Sequence, residues 1–205
     1  IGFAGFFGLP LAHRAHGSDE VAAHLPVLLN PSLPSTGHAA PAQEEAARIA
    51  ARAARAWGRF RQAAVSSFAF VEAAGPVYGV KLVRDALGLP ARAEPAPAPR
   101  IEGGLSPEAK AATAAAVLKA MSLTTGHARL VLLLGHGGQV TNNPHESTYH
   151  CGACGGQTGE VSARLLASLL NDPETRAGLA LRGIDLPADT LFVAAEMIQN
   201  SVPAG

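Results

Sequence analysis

This sequence of 205 residues has no long apolar run, no excess of basic residues and few cysteines. Each of these shortages excludes a class of protein. No apolar stretch reaches the roughly 18–20 residues that a membrane-spanning helix needs. Sixteen Lys and Arg balance sixteen Asp and Glu, so the basic surface typical of a nucleic-acid-binding protein is missing and no nucleic-acid partner is expected. Two cysteines are too few for a disulfide-stabilised scaffold. The hydrophobic content of 48% excludes a disordered chain.

The start of the chain has none of the features of a signal peptide. The first residue is Ile1 rather than Met, and residues 1–8 are short, glycine-rich and without a basic residue. We therefore expect an internal segment of a longer protein.

The first half of the chain, residues 1–100, is expected to be mostly helical. Residues 1–40 contain four prolines and four scattered histidines, which predicts an irregular segment. A long helix is predicted to begin near Glu44, because acidic residues precede a series of arginines and apolar residues recur at helical spacing.

Two more helices and a linker complete this half. The helices are predicted over residues 64–74 and 77–87, with a break at Gly75 and Pro76 between them. Residues 90–99 alternate proline with alanine, which is typical of a linker.

The second half, residues 101–205, has the pattern of an α/β fold. Helix-start signals and short apolar runs predict a helix over 106–121, a strand over 130–134, helices over 160–170 and 171–183, and a strand over 190–194. Strands that alternate with helices indicate a parallel sheet with flanking helices, and the continuous apolar runs indicate strands buried on both faces.

The glycine-rich loop at residues 135–159 carries most of the reactive side chains. It contains three of the eight histidines and both cysteines, namely His136, His145, His150, Cys151 and Cys154. Functional sites of parallel α/β sheets form at the carboxyl ends of strands, where this loop begins. Imidazole nitrogen and thiolate sulfur are the ligands that Zn²⁺ selects. The loop therefore predicts a zinc site, in which Cys151 folds back towards His136.

Three other interpretations of the loop stay open at this point. The Cys-x-x-Cys spacing of Cys151 and Cys154 is also typical of thiol redox proteins. The segment from His136 to Gly138 is similar to the oxyanion loop of esterases, although the chain has no Gly-x-Ser-x-Gly motif. Finally, the cysteines could be inert apolar side chains.

Several motifs together resemble the inorganic carbon transporter subunit DabA family. In the loop they are Gly135-His136-Gly137, Thr141-Asn142-Asn143-Pro144-His145 and Cys151-Gly152-Ala153-Cys154-Gly155-Gly156. Elsewhere they are Gly2-Phe3-Ala4-Gly5-Phe6-Phe7-Gly8, Ser67-Phe68-Ala69-Phe70-Val71-Glu72, Leu170-Asn171-Asp172-Pro173 and Pro187-Ala188-Asp189-Thr190. The resemblance covers nearly the whole chain in order.

The resemblance implies a fold like that of β-type carbonic anhydrases for the second half and a zinc site that hydrates CO₂ to bicarbonate. His136 and Cys151 match two zinc ligands of the family, whereas Cys154 matches a cysteine that is not counted as a ligand. The other zinc residues of the family lie in a Cys-x-Asp-x-Arg segment, which would precede Ile1 together with its catalytic Asp–Arg pair. Half of the ligand set is then missing from this chain, unless His145, His150 or Cys154 substitutes.

The resemblance also implies a partner and a location. Family members act with DabB, a membrane subunit related to cation antiporters, in the energy-coupled uptake of CO₂ or bicarbonate. This implies a peripheral protein at the cytoplasmic face of the inner membrane. An alternative is a structural coupling module that docks on a membrane partner through the helical half, with zinc only bracing the loop.

Overall fold

The computed structural model describes residues 8–63, 67–89, 97–138 and 146–199. These residues divide into two compact units. The sheet unit contains residues 8–15, 19–37, 98–138 and 146–199, and the helical unit contains residues 16–18, 38–63, 67–89 and 97.

The sheet unit begins with a mixed sheet of four short strands. These are β1 (Leu11–Arg14), β2 (Val21–His24), β3 (Leu33–Thr36) and β4 (Arg100–Ile101), in the spatial order β2-β1-β3-β4. β1 pairs antiparallel with β2 and parallel with β3, and β3 pairs antiparallel with β4.

Three of these strands lie in residues 1–40, where the sequence predicts an irregular segment, and the structure differs there. Each strand has only four residues, too few to show a clear period of two. Pro34 lies inside β3, although a proline without an N–H normally argues against a strand. Its carbonyl accepts a hydrogen bond from the Glu102 N–H at 2.9 Å, so β3 still pairs with the chain around β4.

The second part of the sheet unit follows the predicted order of helices and strands. It contains α3 (Pro107–Ala120), β5 (Leu130–Gly138), α4 (Glu160–Asn171), α5 (Pro173–Ala180) and β6 (Leu191–Gln199). The Ser106 hydroxyl caps α3 by accepting from the Ala109 N–H at 3.2 Å. β5 and β6 pair in parallel, with Leu130 opposite Leu191 and Gly138 opposite Gln199. The prediction of an α/β arrangement with parallel strands is confirmed.

Only one face of the β5–β6 sheet is covered within the described residues. Leu133 and Phe192 face inward, against α4, in the hydrophobic core. On the other face Leu130, Leu132 and Leu134 are each more than half exposed, at 54%, 54% and 55%. The prediction that these strands are buried on both faces is therefore wrong for this structure.

Two polar side chains, Asn171 and Arg176, connect the end of α4 and the start of α5 to the start of β6. Asn171 makes two hydrogen bonds to the backbone of Phe192, at 2.8 and 3.1 Å. The Arg176 guanidinium donates to the carbonyls of Leu170 and Thr190 at 2.8 and 2.5 Å. These bonds hold the end of α4, the start of α5 and β6 together, because each satisfies backbone groups that the helices and strand leave unpaired.

The helical unit is a hairpin of two long helices, α1 (Pro41–Gln62) and α2 (Ser67–Ala86). α2 continues through Pro76, so the predicted break at Gly75 and Pro76 is wrong. Phe70, Ala74 and Tyr78 recur every four residues on one side of α2, before and after the proline. The aromatic pair contacts Trp57 of α1, with centroids 5.3 Å apart for Phe70 and a 3.4 Å hydrogen bond for Tyr78. This packing on both sides of the proline keeps the helix continuous despite the lost backbone bond.

α2 and the residue after it expose many large apolar side chains, beside the exposed charged residues Glu72, Lys81 and Arg84. Phe68 is 86% exposed and Leu82 is 71% exposed, and Val71, Val77, Val80, Val83 and Leu87 are also exposed. Residues 90–96 of the predicted linker lie outside the described residues. Among the helices of the described ranges, none has the combination of length and hydropathy that crossing a bilayer requires.

A buried carboxylate, that of Glu44, holds the start of α1 to two preceding segments, around residues 16–17 and 38–39. It accepts hydrogen bonds from the backbone N–H groups of Gly17 at 2.8 Å and Ala39 at 2.6 Å, and it contacts the His16 ring. The His38 ring nitrogen Nε2 lies 3.8 Å from its second oxygen. Burial by itself would raise the pKa of Glu44, but the two N–H groups and His16 outweigh it and lower the pKa to about 2.

The helical unit is therefore predicted to lose stability when Glu44 is neutralised. A pKa below the usual 4.5 means that ionised Glu44 stabilises the fold above that pH, and that this contribution is lost as the pH falls towards about 2. We expect Glu44→Gln to lower the unfolding temperature at neutral pH and to match the wild type near pH 2. The fluorescence of Trp57, the single tryptophan, measures unfolding of this unit.

Glu45→Gln is the matched control for this experiment, because Glu45 is the exposed neighbour of Glu44. A Glu44→Gln effect that is equal at neutral pH and at pH 2, or no larger than that of Glu45→Gln, would contradict the proposed clamp.

Candidate metal centre

The first residue of the candidate site, His136, lies in β5 and not after it. β5 extends four residues beyond the predicted strand, to Gly138, and His136 stands opposite Met197 of β6. Its backbone carbonyl accepts a hydrogen bond from the Gly159 N–H at 2.7 Å, directly before α4. The main chain thus fixes His136 from both the sheet and the helix.

Two glycines allow this close approach of strand and helix. A Cβ atom at Gly135 would lie 2.7 Å from the Glu160 nitrogen, and a Cβ atom at Gly159 would lie 2.9 Å from the Gly135 Cα. Real Cβ atoms are essentially never found this close to the backbone, so neither position accepts a side chain without movement.

The cysteines lie on a tight turn that folds back towards β5. The Gly156 N–H donates to the Cys151 carbonyl at 2.9 Å, and the Gln157 N–H donates to the Cys154 carbonyl at 3.0 Å. Gly155 and Gly156 have φ values of +59° and +83°, in the left-handed region that favours glycine. The turn is therefore specified by the two glycines that follow the Cys-x-x-Cys pair.

Residues from the N-terminal strands hold this turn in place. The Val27 N–H donates to the carbonyl of Ala153, between the two cysteines, at 3.0 Å. His24 Nδ1 donates to the Thr158 carbonyl at 3.2 Å. Burial lowers the pKa of His24, while the Thr158 bond and the charge of Glu160 oppose that shift. The histidines of residues 1–40 look scattered in the sequence, yet His24 supports the candidate site.

The turn brings three potential metal ligands together. One ligand atom from each of His136, Cys151 and Cys154 lies within 4.8 Å of the others. The Nε2 atom of His136 is buried and has no hydrogen-bond partner within the described residues, so it is available to a ligand. Cys151 is half-buried and Cys154 is 9% exposed. The structure brings the two predicted ligands, His136 and Cys151, together and adds Cys154. The only feature of the sequence that indicates Cys154 is its Cys-x-x-Cys spacing from Cys151.

The loop contains two further histidines, His145 and His150. His145 lies outside the described residues. His150 lies beside Gly138 and Gly156, and it is not one of the three residues that form the group in the described part of the chain.

The surroundings of the candidate ligands shift the pKa values of two acidic groups upwards. Burial raises the pKa of the Cys154 thiol, and the hydrogen bond and charge of Cys151 raise it further. Partial burial raises the pKa of Glu196, the charge of Glu160 raises it further, and His136 lowers it. A bound cation would oppose these upward shifts, because it favours the ionised forms of the thiol and the carboxyl group.

Known proteins of one family match this chain over almost its whole length. The family model described as "Probable inorganic carbon transporter subunit DabA" matches residues 1–198. The chain belongs to the DabA family. A relative from Azorhizobium caulinodans with that description is 62% identical over 95% of this chain, and one from Xanthomonas euvesicatoria is 60% identical over 95%. No solved structure matches the chain.

The chain spans about a quarter of the length of these DabA relatives, at 25% of each.

The close approach of Gly135 to the start of α4 gives a testable prediction. We expect Gly135→Ala to destabilise the sheet unit by about 1–3 kcal/mol, because the added methyl group must displace backbone atoms. Thermal unfolding followed by far-ultraviolet circular dichroism measures the change. Gly152→Ala is the matched control, since a Cβ atom there meets nothing within 4 Å and its φ is not positive. Equal stability of the two variants would contradict the close contact.

Proposed function

We propose that this chain supplies ligands to the zinc centre of a DabA inorganic carbon transporter subunit, at which CO₂ is hydrated to bicarbonate. The observation that supports the proposal is the group formed by His136, Cys151 and Cys154, whose ligand atoms lie within 4.8 Å of one another. The family description, a probable inorganic carbon transporter subunit, names the substrate class.

The donor set fits zinc. Two sulfur atoms and one imidazole nitrogen are soft and borderline ligands, and catalytic zinc sites of other proteins use three such protein ligands with a fourth position left open. The buried and partnerless Nε2 of His136 would otherwise be an unsatisfied polar atom. In this three-ligand group Cys154 substitutes for the upstream cysteine ligand that the family resemblance implies, and the upstream Asp–Arg pair would act at the open side.

The residues of this chain would position the reaction. Zinc, when bound, would supply a Lewis acid that lowers the pKa of a water molecule to about 7. The bond from Gly159 to the His136 carbonyl fixes the imidazole, and the bond from Val27 to Ala153 fixes the cysteine turn.

A coupling role is the second candidate, and the helical unit supports it. α2 exposes several large apolar side chains, among them Phe68, Val77 and Val80, beside the exposed charged residues Glu72, Lys81 and Arg84. Exposed apolar side chains in this number favour contact with a partner. The partner that this role requires is the membrane subunit of the transporter, which the resemblance identifies as DabB. In this role the chain docks at the cytoplasmic face of the inner membrane through α2.

The zinc proposal predicts one zinc ion per chain in the intact DabA protein, measured by elemental analysis. We expect His136→Ala, Cys151→Ala and Cys154→Ala each to weaken zinc affinity by at least about 100-fold. Loss of a residue that only hydrogen-bonds to a zinc ligand already weakens metal affinity by about 10–100-fold, and loss of a ligand itself should weaken it more. CO₂ hydration, measured by stopped-flow, should fall with the zinc content.

His150→Ala is the control, because His150 lies near the turn but outside the group of three. Wild-type protein without zinc would contradict the proposal. Variants that lose zinc and remain folded, with unchanged transport of inorganic carbon, would leave zinc with only a structural role.

The docking role predicts that a charge on the outer surface of α2 weakens the complex. We expect Phe68→Asp in full-length DabA to cost about 2 kcal/mol or more of binding energy, and so to reduce co-purification with the membrane subunit, because Phe68 is 86% exposed and lies opposite the row that faces α1. Leu181→Asp is the control, since Leu181 is 89% exposed in the sheet unit. Unchanged Trp57 fluorescence of the 205-residue chain with the same substitution would establish that the hairpin still folds, and equal recovery of both full-length variants would contradict the docking role.

A further inference from the structure

We propose that Cys151 and Cys154 form a reversible disulfide that closes the candidate metal centre, so that metal binding and thiol oxidation exclude each other. This inference rests on the proposed zinc function and adds a redox modification that controls the same site.

The turn presents both sulfur atoms to one another and to His136. Only Gly152 and Ala153 separate the two cysteines, and the sulfur atoms belong to the group whose ligand atoms lie within 4.8 Å of one another. Both cysteines are free thiols in this structure. Bond formation brings the sulfur atoms to about 2.05 Å, an approach that rotation of the two side chains can supply.

Exposure assigns a different role to each cysteine. Cys151 is half-buried and can be reached from solvent, whereas Cys154 is only 9% exposed. A small-molecule disulfide such as oxidised glutathione is therefore attacked first by the Cys151 thiolate, and one glutathione thiolate leaves. Cys154, as a thiolate, then attacks the Cys151 sulfur of the mixed disulfide and displaces the second glutathione thiolate. The protein loses two electrons and two protons, and the oxidant becomes two thiols.

The consequence for metal binding follows from ligand chemistry. A disulfide sulfur is not a thiolate, so oxidation reduces the ligand group from three members to His136 alone. A bound metal ion, in turn, occupies both thiolates and protects them from oxidation.

The pair differs from that of thioredoxin-like oxidoreductases. In those proteins the reactive cysteine lies at a helix start, which stabilises its thiolate. Here the turn continues past Gly155 and Gly156, and the next helix, α4, begins only at Glu160. The pair is therefore a modification site that acts on this protein's own metal centre and not a catalyst that oxidises other proteins.

The experiment equilibrates metal-free, reduced protein with mixtures of reduced and oxidised glutathione, and then traps free thiols with an alkylating reagent for mass spectrometry. We expect both thiols to disappear together in the metal-free protein and to persist in the zinc-saturated protein. Oxidised protein should bind no zinc until dithiothreitol restores the thiols. Cys154→Ser should stop at a glutathione adduct on Cys151, and Cys151→Ser should keep a free Cys154.

Three results would overturn the proposal. These are two free thiols at every glutathione ratio, a stable glutathione adduct on the wild-type protein, and oxidation of the zinc-saturated protein as readily as the metal-free protein. Zinc binding by the reduced protein is measured separately, with a chromogenic chelator. Its absence would contradict the proposed function itself, whatever the state of the thiols, so the two failures are distinguishable.

Discussion

The close approach of β5 to the start of α4 is the constraint on which the candidate metal centre depends. Gly135 and Gly159 leave no room for a side chain between strand and helix, and the Gly159 N–H bonds to the His136 carbonyl at 2.7 Å. This contact orients His136 and also fixes where the loop returns to the fold. Residues 146–159, including the cysteine turn, must then end beside the strand, and the sulfur atoms reach His136.

The second half of the chain follows from its sequence because its signals are local. Ser106 and Pro107 specify the start of α3, Asp172 and Pro173 specify the start of α5, and an apolar run specifies β5. The concentration of histidine and cysteine in one loop after a strand likewise indicates the site, because parallel strands carry their functional groups at that end. His136 and Cys151 could be found in this way.

The remaining features depend on contacts that no local pattern records. The four-residue strands β1–β3 exist through their pairing with one another, and α2 passes Pro76 because Phe70 and Tyr78 both contact α1. His24 supports the cysteine turn across 134 residues of sequence. Cys154 lies near His136 and Cys151 because Gly155 and Gly156 turn the chain. The family resemblance, in which Cys154 matches a cysteine that is not a ligand, does not predict this proximity.

X-ray absorption at the zinc edge of the intact, zinc-loaded protein would test the central claim most directly, because it identifies the atoms bound to the metal. The account predicts sulfur atoms at about 2.3 Å and imidazole nitrogen at about 2.0–2.1 Å, with one sulfur fewer in Cys154→Ser. An unchanged sulfur count in Cys154→Ser, or a spectrum with oxygen ligands alone, would contradict the three-ligand group of His136, Cys151 and Cys154.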